Sequence, residues 1–85
     1  MPSISMFYGI VIYMYYSEHQ PPHFHAFYGD YKAVFSLNGD WQEGEIPGKQ
    51  KRQIKVWAEL HEDELYALWK LAEKGEELYR IKPLQ

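Results

Sequence analysis

The stretch "HFHAFYGDYKAVFS", His23 to Ser36, decides the fold. Gly29-Asp30 suits a two-residue hairpin loop of type I′ or II′, because glycine accepts the positive φ such loops require. That loop sets Tyr28 opposite Tyr31, Ala26 opposite Ala33 and Phe24 opposite Phe35. All six side chains then share one side of the hairpin and none is charged, so turn chemistry and apolar pattern agree on the register. The other side carries the pairs Phe27–Lys32, His25–Val34 and His23–Ser36. The H-x-H pair therefore projects from the more polar side of the sheet.

Toward the N-terminus, Met6 to Tyr16 is rich in Ile, Val and Tyr and reads as one strand. Tyr8, Ile10, Ile12 and Met14 would lie on one face and Phe7, Val11, Tyr13 and Tyr15 on the other. Such a strand is covered on both sides or sits at a dimer contact. Ser17 to Pro22 is a connection, since Pro21 and Pro22 cannot donate ladder hydrogen bonds. An extended Pro-Pro segment would hold His19 away from His23.

Toward the C-terminus, Asn38-Gly39-Asp40 signals a second turn into a short strand, Trp41–Glu45. With Asn38-Gly39 as the turn, Trp41 pairs with Ser36, Glu43 with Val34 and Glu45 with Lys32. Trp41 and Glu43 then share the histidine face, and a turn one residue longer swaps them. From Lys49 the period becomes helical: Ile54, Trp57, Ala58, His61, Leu65, Leu68, Trp69 and Ala72 trace one stripe. One long helix fits this stripe. So do two helices broken near His61, where Glu62-Asp63-Glu64 suit a first turn. Gly75 reads as the stop, and Leu78–Ile81 as a last short strand or tail before Pro83. These elements predict a single α+β domain over 1–85, with a β half (1–46), a helical half (47–75) and a C-terminal strand or tail (76–85). In it a small antiparallel hairpin meander of three to five strands packs on one long or two shorter C-terminal α-helices.

At 85 residues the chain is near the size at which one core is marginal, so a metal or a partner would add stability. The absence of cysteine excludes disulfides and fits a reducing compartment. The apolar run is too short to span a bilayer and no basic leader precedes it, so the expectation is a cytoplasmic protein without membrane contact. A net charge of −3 argues against a general nucleic-acid coat and leaves only a local basic patch for such a role. Aromatic residues make up 18% of the chain, more than a domain this small can bury. Some must lie on an exposed face, which predicts a homodimer or a small protein partner.

Three chemistries compete for the histidines. Residues two apart in a strand point the same way, so His23 and His25 could both ligate one ion. Zinc is the cofactor they would suit, with Glu43 or His61 as the candidate to complete the site; nothing else in the sequence calls for a cofactor. The pair could instead serve as acid and base, as in metal-independent ribonucleases. Lys32, one rung from His25, would then hold phosphate, and Tyr28 and Trp41 would bind the substrate. The plain alternative is a half-exposed sheet face packed against a helix or partner. Nucleophilic catalysis has no support, because Ser36 opposite His23 lacks a third orienting group. Lys49, Lys51, Arg52 and Lys55 cluster at the helix start, where positive charge is unfavourable, so they form either an anion-binding patch or a solvated face. "HEDEL" is not H-E-x-x-H, and His61 reads as a hydrogen-bonded, semi-buried residue.

Together, "ISMFYGIVIYMYY", "HQPPHFHAFYGDY", "VWAELHEDELYALW" and "LYRIKPL" resemble the small bacterial family catalogued as domain of unknown function 4160. Pro21, Pro22, His23, Phe24, His25, Ala26, Tyr28 and Gly29 match its most distinctive motif. Leu68 stands before Trp69 where the family often has Asn, so no polar role is implied there. The resemblance implies a stand-alone bacterial cytoplasmic protein, often encoded beside a small partner in an arrangement like that of toxin–antitoxin modules. It assigns no activity. The resulting expectation is a binding or regulatory component of such a pair. The alternatives are a toxin-like ribonuclease or a His-ligated metal-binding protein.

Overall fold

The computed structural model describes residues 3–85; the first two residues of the predicted β half lie outside them. The strands are β1 (Ser3–Phe7), β2 (Ile10–Tyr13), β3 (His23–Tyr28), β4 (Tyr31–Ser36) and β5 (Trp41–Glu45). Two helices follow, α1 (Gly48–Leu60) and α2 (Glu62–Glu73). The strands form one antiparallel meander in the order β1-β2-β3-β4-β5, so the fold is α+β with both helices at the C-terminal end.

The β3–β4 hairpin has the register its turn dictates, from His23↔Ser36 to Tyr28↔Tyr31. Met6–Tyr16, by contrast, is not one strand. Tyr8 (φ 50°) and Gly9 (φ 79°) form a two-residue turn that pairs Phe7 with Ile10. Positive φ at both central positions is the type I′ geometry that matches strand twist. The turn moves Phe7 onto the side of Ile10 and Ile12, where it is buried, and leaves Tyr8 exposed at the tip. The apparent two-sided apolar strand is thus two strands with one buried face.

At β5, Glu43 and Glu45 have the predicted partners Val34 and Lys32, but Trp41 pairs with Phe35 across a bulge. Trp41 and Glu43 therefore lie on opposite faces, and Trp41 does not join the histidines. Gln42 is the extra residue; Gly44 (φ 85°) lies in the regularly paired stretch beside it, where a Cβ would lie 2.8 Å from Ala33 Cα and closer still to the Lys32 carbonyl oxygen.

The helical stripe is two helices broken at His61, whose N–H bonds to the carbonyls of Trp57 and Ala58. Seven of its eight residues are buried and His61 is half-buried. Gly75 (φ 71°) ends α2 as predicted: its N–H bonds to Ala72 O and that of Glu76 to Leu71 O, the paired bonds of a Schellman motif. Leu78–Ile81 is not a strand. The tail instead docks on β1 through one backbone bond, Ile81 N–H to Ile4 O at 2.7 Å. Trp57 is the centre of the core. It packs against Phe7 and Phe24, and its Nε1–H donates to Lys82 O at 2.9 Å, holding the tail in place.

The helices cover the sheet face of Ile10, Ile12, Phe24, Ala26, Ala33 and Phe35. The opposite face carries two transverse rows set by the ladder. One is Met6, Val11, Phe27, Lys32 and Glu45; the other is Tyr13, His25, Val34 and Glu43.

Candidate functional site

The site begins with the loop between β2 and β3. Ser17, in the left-handed region at φ 55°, donates its N–H to Ala72 O, and Gln20 Nε2 donates to Glu73 Oε2. Two anchors on the end of α2 therefore bracket Glu18 and fix where its carboxylate points. It points at the H-x-H pair: Glu18 Oε1 lies 2.8 Å from His25 Nε2 and 3.4 Å from His23 Nε2. The donor atoms of Glu18, His23 and His25 all lie within 4.8 Å of one another.

Each histidine is held from behind. His23 is 5% exposed and packs on Trp69 of α2, with ring centroids 5.3 Å apart. Its Nδ1–H donates to Pro21 O at 2.8 Å. The edge of His25 meets the Tyr15 ring at 4.5 Å. Burial alone would push the Glu18 carboxyl up. Hydrogen bonds from His25 and His23 outweigh it and hold the group below the ordinary carboxylate range. Burial also raises the Tyr15 phenol, and charge on Tyr13 and Glu18 adds to the effect.

The cluster opens into a groove of about 270 Å³ lined by Glu18, His19, Pro21, His23, His25, Val34, Gln42 and Glu43. Beside it, an apolar groove of about 330 Å³ shares His25, Val34 and Glu43 and adds Tyr15, Phe27 and Lys32. Glu18 is the residue that sequence reasoning missed. Its only signal is a carboxylate five residues before His23, which means nothing until the intervening loop is known to turn back. That reversal also corrects the expectation for His19. The segment turns at Pro21, where the Gln20–Pro21 peptide is cis, and the His19 ring sits 5.3 Å from that of His23, though largely in solvent.

Other candidates lie elsewhere. Lys32 lines the neighbouring groove, one rung from His25 as expected. Tyr28 stacks on Tyr31 on the helix side of the sheet. Trp41 lies on that side as well, its ring 5.0 Å from Lys51 Nζ. Lys55 bonds Asp40 at 2.7 Å, which raises the lysine pKa and lowers the aspartate's. Among the described residues none of Lys49, Lys51, Arg52 and Lys55 lines the histidine groove. His61 bonds Glu64 at 2.7 Å and does not complete the cluster. Glu43 faces the groove without joining the triad. Chemically, the arrangement can orient a histidine against a carboxylate or hold a cation.

A protein-family model described as Domain of unknown function (DUF4160) matches residues 9–70, and the chain belongs to that family. No curated protein and no solved structure matches it.

Proposed function

We propose that this protein is a binding component, not an enzyme, whose working surface is the open face of the sheet. One observation carries the reading: the helices cover one sheet face, and the other displays Met6, Val11, Tyr13, Tyr15 and Phe27 as a contiguous apolar patch. Tyr13 stacks on Tyr15 at 6.1 Å and meets Phe27 edge-on at 5.3 Å. Lys32, Glu43 and Glu45 rim it on the β4–β5 side. An apolar, aromatic centre with a charged rim is the anatomy of a protein–protein interface. The partner is a small protein encoded beside this one, as the paired arrangement suggests, in a cytoplasmic two-gene module of toxin–antitoxin type. No helix among the described residues is long and apolar enough to cross a membrane.

Light scattering on the protein alone and mixed with the neighbouring gene product tests this. A stable complex that Tyr13→Ser with Phe27→Ser abolishes is expected, because both rings are surface groups whose loss spares the core. No complex, or one indifferent to both substitutions, overturns the proposal. The ribonuclease reading predicts that expression of the protein slows growth and that His23→Ala with His25→Ala relieves it; equal growth counts against it.

A further inference from the structure

We propose that Glu18, His23 and His25 form a binding site for a divalent first-row transition metal, with zinc as the reference ion. This goes beyond the docking role and does not depend on it. The argument starts from the proton on His23. A carbonyl oxygen can only accept, so the 2.8 Å contact between Nδ1 and Pro21 O places the proton on Nδ1. In the neutral ring Nε2 is then a bare lone pair. That lone pair faces Glu18 Oε1 at 3.4 Å, lone pair to lone pair, in a ring that is 5% exposed. Such a contact is favourable only with a positive charge between the two atoms: a second ring proton, which makes His23 an imidazolium donating to Glu18, or a metal ion in that proton's place.

Two ligands at about 2.1 Å from a tetrahedral ion lie about 3.4 Å apart. The three donors here fall within 4.8 Å of one another; the Glu18–His23 separation of 3.4 Å matches, and the Glu18–His25 pair, now hydrogen-bonded at 2.8 Å, would exchange its proton for the ion and open slightly. A backbone carbonyl fixing the tautomer of a ligating histidine is the outer-shell arrangement that metal sites use. Two imidazoles and one carboxylate suit zinc, iron, cobalt or nickel rather than magnesium or calcium. Three protein ligands leave the side toward Gln42 and Glu43 open to water or another donor.

The test is calorimetric titration of the chelator-stripped full chain with zinc, and separately with cobalt. The expected result is saturable one-to-one binding, weakened at least about tenfold by Glu18→Gln and by His25→Ala, and unchanged by His61→Ala. His61 lies outside the cluster and bonds Glu64. Cobalt supplies a second readout. With His23 packed on Trp69 at 5.3 Å, the ion should quench tryptophan emission in the wild type and not in Glu18→Gln. Far-ultraviolet circular dichroism confirms that each variant is folded. Binding that is non-saturable, exceeds one ion per chain, or survives both cluster substitutions overturns the proposal.

Discussion

Gly44→Ala should be the most damaging single-methyl change in the sheet. Gly44 sits at φ 85°, so any side chain there carries a backbone cost of about 1–2 kcal/mol. The added Cβ would also lie 2.8 Å from Ala33 Cα and closer to the Lys32 carbonyl. Both are backbone atoms of a paired strand that cannot rotate away. Overpacking of this kind adds about 1–3 kcal/mol, for a total of about 2–5 kcal/mol. In urea, with m near 1 kcal/mol/M for a small domain, the midpoint should fall by roughly 2 M or more. β5 is an edge strand with every residue exposed, so the variant can escape part of the clash by letting β5 peel away. Hydrogen exchange would then show the β4–β5 ladder unprotected. Gly29→Ala is the control: its φ is 56° but nothing lies within 4 Å of the new Cβ, so it should cost only the backbone share. If Gly44→Ala unfolds no more easily than Gly29→Ala and keeps the β4–β5 ladder protected, the steric reasoning is wrong.

Folding lowers the Glu18 pKa, so its carboxylate stabilises the protein above the ordinary carboxylate range and that contribution drains as pH falls through the depressed value. With chelator present, Glu18→Gln should lower the urea midpoint at neutral pH and flatten the acid side of the stability profile; parallel profiles would contradict this. Trp57→Phe removes the bond to Lys82 O and leaves a void, and should cost about 2–4 kcal/mol while speeding exchange at Ile81. Leu65→Ala, at a fully buried position, should cost about 2–5 kcal/mol by chemical denaturation. Burial, then Tyr13 and Glu18, raise the Tyr15 phenol; Tyr15→Phe should delete a late-ionising step from an ultraviolet tyrosinate titration.

Local chemistry explains which parts of this fold can be read from the sequence. Gly29-Asp30 lies between segments whose apolar residues alternate, so turn and pattern specify one register and the β3–β4 hairpin is legible. The buried stripe from Ile54 to Ala72 is legible for the same reason, and Gly75 marks its end. The Tyr8-Gly9 turn is not legible, because apolar residues flank it on both sides and a tyrosine holds a positive φ that Asn or Asp would have advertised. The bulge before Glu43 is hidden because no turn residue or pattern break marks Gln42 as the extra residue against β4. The candidate site divides likewise. His23 and His25 follow from strand alternation, whereas Glu18 is placed by the contacts of Ser17 and Gln20 with the end of α2, which no spacing announces.

The docked tail has a consequence for how this molecule can meet others. A sheet's outer strands offer unpaired N–H and C=O groups that recruit foreign strands. Here Ile81 takes a carbonyl on β1, and Arg80 Nη1 reaches Ser3 Oγ at 2.7 Å, so one border is occupied by the chain itself. The other border, β5, is distorted by its bulge and carries Glu43 and Glu45. Both sides of the sheet are guarded against growth by strand addition, and the protein can present sticky rings to solvent without inviting itself into fibres. Removing the residues after Glu77 should free the β1 border and uncover Trp57, so light scattering should show the truncated protein aggregating.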